Sequence, residues 1–256
     1  MSSSLVLSLE TIPDVPRIRQ LFGLGSMLSD ADVADYAFQR QRAQGGSDTL
    51  PYHLQRVVLV TCLRRDDGQT AVLSLQDDEG EAQLLASLFA LTKNLKPQII
   101  AWQAEEFVLP LLQCRAMLHG IDGDCGWLAS DQPHVPFGDM APVAGVFDLS
   151  RHLEFGPVPP TRSPLADFAR LAGIPAQADP DAVVAWQIWR EGRTSEIQSG
   201  CERRVLMSYL IFLRYLQAKG QVSGEQRAVE ERLLRAELGR MELVCADEFL
   251  RDWPNY

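Results

Sequence analysis

The order of apolar and polar residues in the first half of the chain predicts strands separated by helices. Residues 6–9, VLSL, have the pattern of a short buried strand that leads into a Glu-Thr-Ile-Pro turn. β-Branched residues are concentrated in RVVLVTCLRR from Arg56 and in TAVLSL from Thr70, and the Asp-Asp-Gly-Gln between them predicts a hairpin. The apolar run PQIIAW from Pro97 is typical of a central strand that is covered on both faces.

The segments that follow these strands have the spacing of amphipathic helices. From residue 79, Leu84, Leu85, Leu88 and Leu91 fall on one helical face. Further helices are predicted over residues 16–21, 29–42, 105–119, 161–172, 180–191, 195–218 and 225–242. Gly- and Pro-rich loops are predicted over residues 43–53 and 122–145. This alternation predicts an α/β fold, with helices on the faces of a mixed sheet and an additional C-terminal helix.

Composition restricts the size and the environment of the protein. A chain of 256 residues that is 46% hydrophobic is long enough for one large domain, or two small ones, with a substantial core, and we favour one domain. The net charge of -10 argues against broad attraction to nucleic acid, because Lys and Arg drive phosphate binding, but it leaves a local basic groove open. We predict a cytoplasmic protein without membrane contact, because neither a leader pattern nor an apolar run of membrane length is present.

The cysteines and histidines give no sign of a zinc site. The five cysteines contain no CxxC pair, and we interpret them as buried, reduced thiols. The four histidines show no HExxH spacing, which argues against a zinc hydrolase.

Six stretches of the chain resemble, in the family's order, the predicted 3'-5' exonuclease family that is related to the proofreading domain of family-B DNA polymerases. They are LSLETIPD, LPYHLQRVV, IIAWQAEEFVLPLLQCRAMLHGI, FDLSRHL, SPLADFARLAGIP and CERRVLMSYLIFLRY. The resemblance extends over about residues 5–218 and implies a ribonuclease-H-like fold of the DEDD superfamily. We expect this domain to span residues 1–220, and residues 221–256 to form a helical extension packed on it.

The same resemblance implies a chemistry that this chain lacks in large part. In the superfamily, four carboxylates hold two Mg²⁺ or Mn²⁺ ions that activate a water and stabilise the leaving oxygen. The carboxylate positions of the family's three motifs fall on Ser8 and Glu10, on Val108, and on Arg204, so Glu10 is the only one retained. An arginine keeps its charge in a protein and would oppose both cations, so we expect the metal site to be lost.

Ser8, Glu10 and Arg204 lead to a geometric prediction. Alternation along a strand places positions 8 and 10 on one face. A carboxylate in a partly buried pocket is costly without a partner. We therefore predict that the Arg204 guanidinium stands where a metal would sit and pairs with Glu10, with the Ser8 hydroxyl in the same cluster.

An active enzyme with rearranged ligands is the alternative. Glu105, Glu202, Asp148 and Asp14 are the acidic residues near the motifs, and each is also explained as a surface carboxylate or a helix cap. In this alternative, Glu10 and Asp148 would hold Mg²⁺ or Mn²⁺.

The expected function is that of an exonuclease-like protein that is catalytically inactive, needs no cofactor and acts as a monomer. Its partner would be single-stranded nucleic acid or another protein. Trp102 and Gln103, the latter at a position where the family has Asn, are the predicted nucleic-acid contacts. The apolar stripe of the last helix, Val229, Leu233, Leu238 and Met241, is expected to pack against the helix around residues 209–215.

Overall fold

A five-stranded mixed sheet forms the centre of the structure, a computed structural model that describes residues 4–45, 47–66, 69–122, 145–153 and 164–254. The strands are β1 (Ser4–Pro13), β2 (Gln55–Asp66), β3 (Gln69–Gln76), β4 (Gln98–Ala101) and β5 (Val146–Asp148), in the order β3-β2-β1-β4-β5. The β1–β2 and β2–β3 pairs are antiparallel, and the β1–β4 and β4–β5 pairs are parallel. The predicted mixed sheet and the β2–β3 pairing are confirmed, whereas β5 was not predicted.

Ten helices surround the sheet within the described ranges. They are α1 (Val15–Phe22), α2 (Asp30–Gly45), α3 (Glu81–Leu95), α4 (Leu109–His119), α5 (Leu149–Leu153), α6 (Leu165–Leu171), α7 (Ala182–Arg190), α8 (Thr194–Ala218), α9 (Gly224–Leu238) and α10 (Ala246–Asp252). A 3-10 turn (Tyr52–Leu54) precedes β2, and a π-helix (Ala104–Val108) precedes α4. The predicted helices are all present, α5 and α10 are additional, and most of the predicted 122–145 loop lies outside the described residues.

Both faces of the sheet are covered. Leu5, Leu7 and Leu9 of β1 pack in one apolar cluster with α3 and α4. Val6, on the other face, belongs to a second cluster that is built mainly on α8. This two-sided burial explains the apolar character of the central strands. No helix in the described part of the chain combines the length and the apolar character that crossing a membrane requires.

The C-terminal helices pack on α8, but the predicted stripe is only partly correct. Leu234 and Leu238 of α9 are buried in the α8 cluster. Val229 and Leu233 were predicted to be covered, but they are 43% and 40% exposed. The buried side of α9 is therefore the i, i+4 row of Glu230, Leu234 and Leu238. Glu230 is held on this side by a 2.6 Å hydrogen bond that it accepts from Nη2 of the buried Arg65 in β2.

The cysteines within the described residues are free thiols. Cys62, Cys201 and Cys245 are buried, and Cys114 is half-buried. Burial raises the pKa of Cys62, Cys201 and Cys245 to about 12, so these three groups stay protonated at neutral pH. Cys125 lies outside the described residues.

A buried ionic cluster joins the N-cap of α1, which directly follows β1, to β2, α3 and α4. Arg115 of α4 is 1% exposed, and it donates to Oε1 of Glu81 at 2.8 Å and to Oδ2 of Asp14 at 2.7 Å. Glu81 also accepts from the Val57 backbone N–H at 2.7 Å, and its Oε2 lies 2.7 Å from Nε2 of His119. One guanidinium thus fixes the end of the first strand to the start of α3.

Acid should weaken this cluster. Burial raises the pKa of Glu81, but the hydrogen bond and charge of Arg115 and the hydrogen bond from Val57 outweigh it, so the pKa lies below its ordinary value of 4.5. A depressed carboxyl pKa contributes stability above pH 4.5 that is lost as the pH falls through the folded-state value. We expect Glu81→Gln to flatten the acid limb of a plot of unfolding free energy against pH, and the same change at the exposed Glu79 to leave it unaltered. Equal acid limbs in Glu81→Gln and the native protein would contradict this assignment.

Candidate functional site

The candidate site lies where β1 faces α8. Ser8 pairs with Thr61 of β2 and Glu10 pairs with Leu59, and the register shifts between Glu10 and Thr11. The residue left over by this shift is Val58 of β2, so the alternation that places Ser8 and Glu10 on one face of β1 is undisturbed. Both Ser8 and Glu10 contact α8, on the face opposite to Leu7 and Leu9.

Arg204 of α8 fills the space between these side chains. Its Nε donates to Ser8 Oγ at 2.8 Å, and its Nη2 donates to Glu10 Oε2 at 2.7 Å and to the Leu9 carbonyl at 3.2 Å. Its Nη1 donates to Asp179 Oδ1 at 2.8 Å. The predicted pairing of Arg204 with Glu10 is present, and both side chains are largely buried, at 14% and 17% exposed.

The environment of Arg204 keeps the guanidinium charged. Burial lowers the pKa of Arg204, whereas the neighbouring Cys201, Glu10 and Asp179 raise it, and the result is a pKa well above the ordinary value. The Cys201 thiol lies directly beside Nη2, at 2.8 Å. A permanent cation therefore stands between two carboxylates at the centre of the site.

Asp179 was missed by the sequence analysis. It lies in the Ala-Asp-Pro-Asp segment between α6 and α7, which has neither strand nor helix periodicity. Asp181 of the same segment is the N-cap of α7, where its side chain accepts from the Val184 N–H at 2.8 Å. Because Asp181 already caps α7, Asp179 is not needed as a cap. A second aspartate at this place was the signal in the sequence that Asp179 has another partner.

Three predicted site residues make no contact with Arg204 or its partners among the contacts described above, and these are Val108, Gln103 and Trp102. Val108 is 4% exposed and buried in the apolar cluster that contains Leu7 and Leu9, so it lies on the other side of the sheet from Ser8. Gln103 has a left-handed backbone (φ 54°), and its carbonyl accepts the first hydrogen bonds of the π-helix. The Trp102 ring packs 5.4 Å from Phe168. The nucleic-acid contacts assigned to Gln103 and Trp102 stay predictions.

Asp148 and Glu105 have structural partners. Asp148 is buried at the start of α5, where it accepts from Ser150 Oγ at 2.8 Å and from the Arg151 N–H at 3.2 Å. It also accepts from the Glu105 N–H at 2.9 Å. The Glu105 carboxylate itself pairs with Arg151. Asp148 thus caps a helix and ties the π-helix to β5.

Glu202 and Asp14, the other acidic candidates, are also engaged. Glu202 is fully buried and accepts from Gln198 Nε2 at 2.8 Å and from the Cys245 N–H at 3.0 Å, so it joins α8 to the start of α10. Asp14 belongs to the Arg115 cluster. These four acidic side chains therefore serve the packing of the fold.

The donor set does not fit the two divalent cations that the family chemistry uses. Ser8 and Glu10 are both bonded to a guanidinium, and Val108 offers no oxygen in its side chain. In the sheet, Leu5 of β1 pairs with Ile99 of β4, and Ala101, two residues after Ile99, pairs with Asp148 of β5. Residues two apart on a strand share a face, so the Asp148 side chain is on the face of Leu5 and Leu7 and not on the face of Glu10. Among the residues that the structure describes, no three His, Cys, Asp or Glu side chains form a group that could hold a metal.

The recess beside Glu10 is small. It has a volume of about 150 Å³ and is lined by Glu10, Phe107, Pro180 and other mainly apolar side chains. Ligand sites usually have volumes of about 300 Å³ or more. This recess is therefore too small for a typical substrate.

Comparisons with known proteins agree with this fold. A family model described as a predicted 3'-5' exonuclease related to the exonuclease domain of PolB matches residues 47–253, so β1 with Ser8 and Glu10 precedes the matched region. Among solved structures, the family B DNA polymerase from the hyperthermophilic archaeon Pyrobaculum calidifontis is similar, with a TM-score of 0.53 and 15% identity. That match covers 84% of this chain but 24% of the polymerase chain, and at this identity it shows the fold alone. No curated protein matches the sequence.

Proposed function

Because the chain belongs to the family of predicted 3'-5' exonucleases related to the exonuclease domain of PolB, we propose that it is a non-catalytic member whose metal site has been replaced by an ion pair. The observation that supports the proposal is the Arg204 guanidinium, hydrogen-bonded to Ser8, Glu10 and Asp179. A cation bound at Glu10 would have to displace a charged group from two carboxylates.

Electrostatics makes that displacement unfavourable. Two like charges about 4 Å apart repel by about 4 kcal/mol at the effective dielectric constant near a protein surface, and a divalent ion doubles the charge on one side. Arg204 cannot relieve the repulsion by losing its proton, since its pKa is raised. Glu10 is then a structural partner of Arg204 and not a metal ligand.

A nuclease assay tests the loss of activity. We expect the purified protein with Mg²⁺ or Mn²⁺ to cause no stepwise 3' shortening of 5'-labelled single-stranded DNA or RNA. Glu10→Ala is the matched control, because it removes the one carboxylate retained at the motif positions. Shortening by the native protein that is absent in Glu10→Ala would establish the alternative, an active exonuclease that uses Glu10. Equal shortening by both preparations would indicate a contaminating nuclease.

The role that we propose in place of cleavage is binding, in the cytoplasm, to single-stranded nucleic acid, with a protein partner as the second candidate. The fold supports this role because an exonuclease domain must hold a strand as well as cut it. Binding of a labelled strand that weakens steeply between two salt concentrations would support phosphate contacts. Capture of a protein partner without salt-sensitive strand binding would favour the second candidate.

A further inference from the structure

Two adjoining cavities lie beside the C-terminal half of α8. The first, which we call the aromatic cavity, has a volume of about 380 Å³ and is lined chiefly by His152, Phe168, Ile211 and Tyr215. The second, which we call the arginine cavity, has a volume of about 300 Å³. Ala172 and Arg214 line both cavities, so the two adjoin, and we call them together the recess.

The arginine cavity carries a large excess of positive charge. Its lining contains four arginines and one acidic residue, and these are Arg214, Arg227, Arg232, Arg235 and Glu231. Glu231 pairs with Arg227. Arg235 lies 5.0 Å over the Trp253 ring and donates to its backbone carbonyl. On a protein with a net charge of -10, this excess is a local feature that needs a reason.

Arg214 and Arg232 are the informative members of this set. Neither makes an ion pair within the residues that the structure describes. The Nε of Arg214 is buried and has no hydrogen-bond partner. Four other buried donors of the described residues share this state, so the unpaired charges that line the cavity are the stronger observation. An anion in the arginine cavity would lie against the Arg214 and Arg232 side chains and would balance their charge.

The aromatic cavity has the composition of a ligand site. Its rings are held by packing, since the Tyr215 ring lies 5.2 Å from the Phe147 ring and 5.8 Å from the His152 ring. The Lys219 ammonium lies 5.6 Å over Tyr215 and places a further cation at the rim. Concave sites of this volume, mainly apolar and aromatic with a few polar groups, are typical of small-molecule binding.

We infer that this recess binds a nucleotide unit, with the base in the aromatic cavity and the phosphate in the arginine cavity beside Arg214. Aromatic stacking combined with cationic contacts to phosphate is the physical basis of single-strand binding. The arginine fork also matches the oxygens of a phosphate. The unit can belong to a strand or to a free nucleotide, and the chemistry of the contacts is the same. The inference deepens the proposed strand-binding role and rests on it.

The recess is separate from the Arg204 site. Arg214 is ten residues further along α8 than Arg204, which corresponds to a distance of about 15 Å along the helix. We therefore expect substitutions in the recess to leave the Ser8, Glu10 and Arg204 contacts intact. A defect in binding can thus be distinguished from a disturbance of the ion-paired site.

Fluorescence anisotropy with a labelled oligothymidylate, at low and at moderate salt, tests the inference. We expect the native protein to bind, Arg232→Gln to weaken binding several-fold, and Arg214→Gln/Arg232→Gln to weaken it by about tenfold or more and to flatten the salt dependence. The control Arg240→Gln/Arg251→Gln removes the same charge outside the recess and should bind like the native protein. Arg232 is exposed, so its single variant keeps the test valid if Arg214→Gln fails to fold.

Competition experiments identify the ligand. Competition by thymidine monophosphate would indicate a free-nucleotide site, and competition only by unlabelled oligonucleotide would indicate a strand site. Strand binding that is unchanged in Arg214→Gln/Arg232→Gln would overturn the recess but leave the proposed binding role standing. Absence of any strand or nucleotide binding would overturn both the nucleotide site in the recess and the proposed strand-binding role. Competition by poly-glutamate as strong as by the oligonucleotide would contradict a nucleotide ligand and indicate an acidic protein segment instead.

Discussion

Replacing Arg115 with alanine should lower the free energy of unfolding by about 3 to 5 kcal/mol, because the change strands two carboxylates in the interior. Glu81 and Asp14 are both about as buried as the apolar core. Within the described residues, Glu81 without Arg115 keeps His119 and the Val57 N–H, and Asp14 keeps the partly exposed Arg17. Urea unfolding followed by circular dichroism measures the loss.

Arg170→Ala is the matched control for Arg115→Ala. Arg170 also pairs with a carboxylate, that of Asp167, but both side chains are more than half exposed. Surface pairs of this kind contribute about 1 kcal/mol or less. Similar losses in the two variants would show that burial of the Arg115 cluster does not determine its contribution to stability.

Arg204→Ala should cost less, about 2 to 3 kcal/mol, because water reaches part of the cluster. Glu10 is 17% exposed and Asp179 is 44% exposed, so each can recover some hydration when the guanidinium is removed. The same unfolding measurement gives the size of the loss.

Arg204→Lys separates charge from geometry. An ammonium on this helix can meet one carboxylate but cannot reproduce the fork that reaches Ser8, Glu10 and Asp179 together. We expect Arg204→Lys to recover part of the stability lost in Arg204→Ala. Full recovery would mean that charge alone matters, and no loss in either variant would contradict a structural role for the ion pair.

Most of the sheet could be predicted because β1 and β2 are long, β3 alternates between more and less exposed residues, and the short β4 is an apolar run covered on both faces. β1 to β4 show apolar runs or alternation that β5, with three residues, is too short to display. The helices α5, with five residues, and α10, with seven, were not predicted because they too are short. The orientation of α9 was predicted wrongly for Leu233, because apolar residues occur on two sides of that helix and the partner of Glu230 lies far away in the sequence.

In the site, too, the contacts that depend on local sequence could be predicted, and those that depend on residues distant in the chain could not. Ser8 and Glu10 share a face because of strand alternation, and the family resemblance pointed to Arg204 as their neighbour. Asp179 has no periodic pattern around it, and only the packing of the segment before α7 against α8 brings it to Arg204. Val108 is on the far side of the sheet, which spacing along the chain does not reveal.

The Glu202 contact has a consequence for the order in which the chain can fold during synthesis. Glu202 is fully buried, and one of its acceptor bonds is made only with Cys245, 43 residues later. The cluster around α8 likewise includes Leu234, Phe249 and Trp253. When α8 leaves the ribosome, its outer side therefore has a charged group and an apolar surface still open to water. We expect this surface to stay exposed on the nascent chain until α9, α10 and Trp253 have been synthesised.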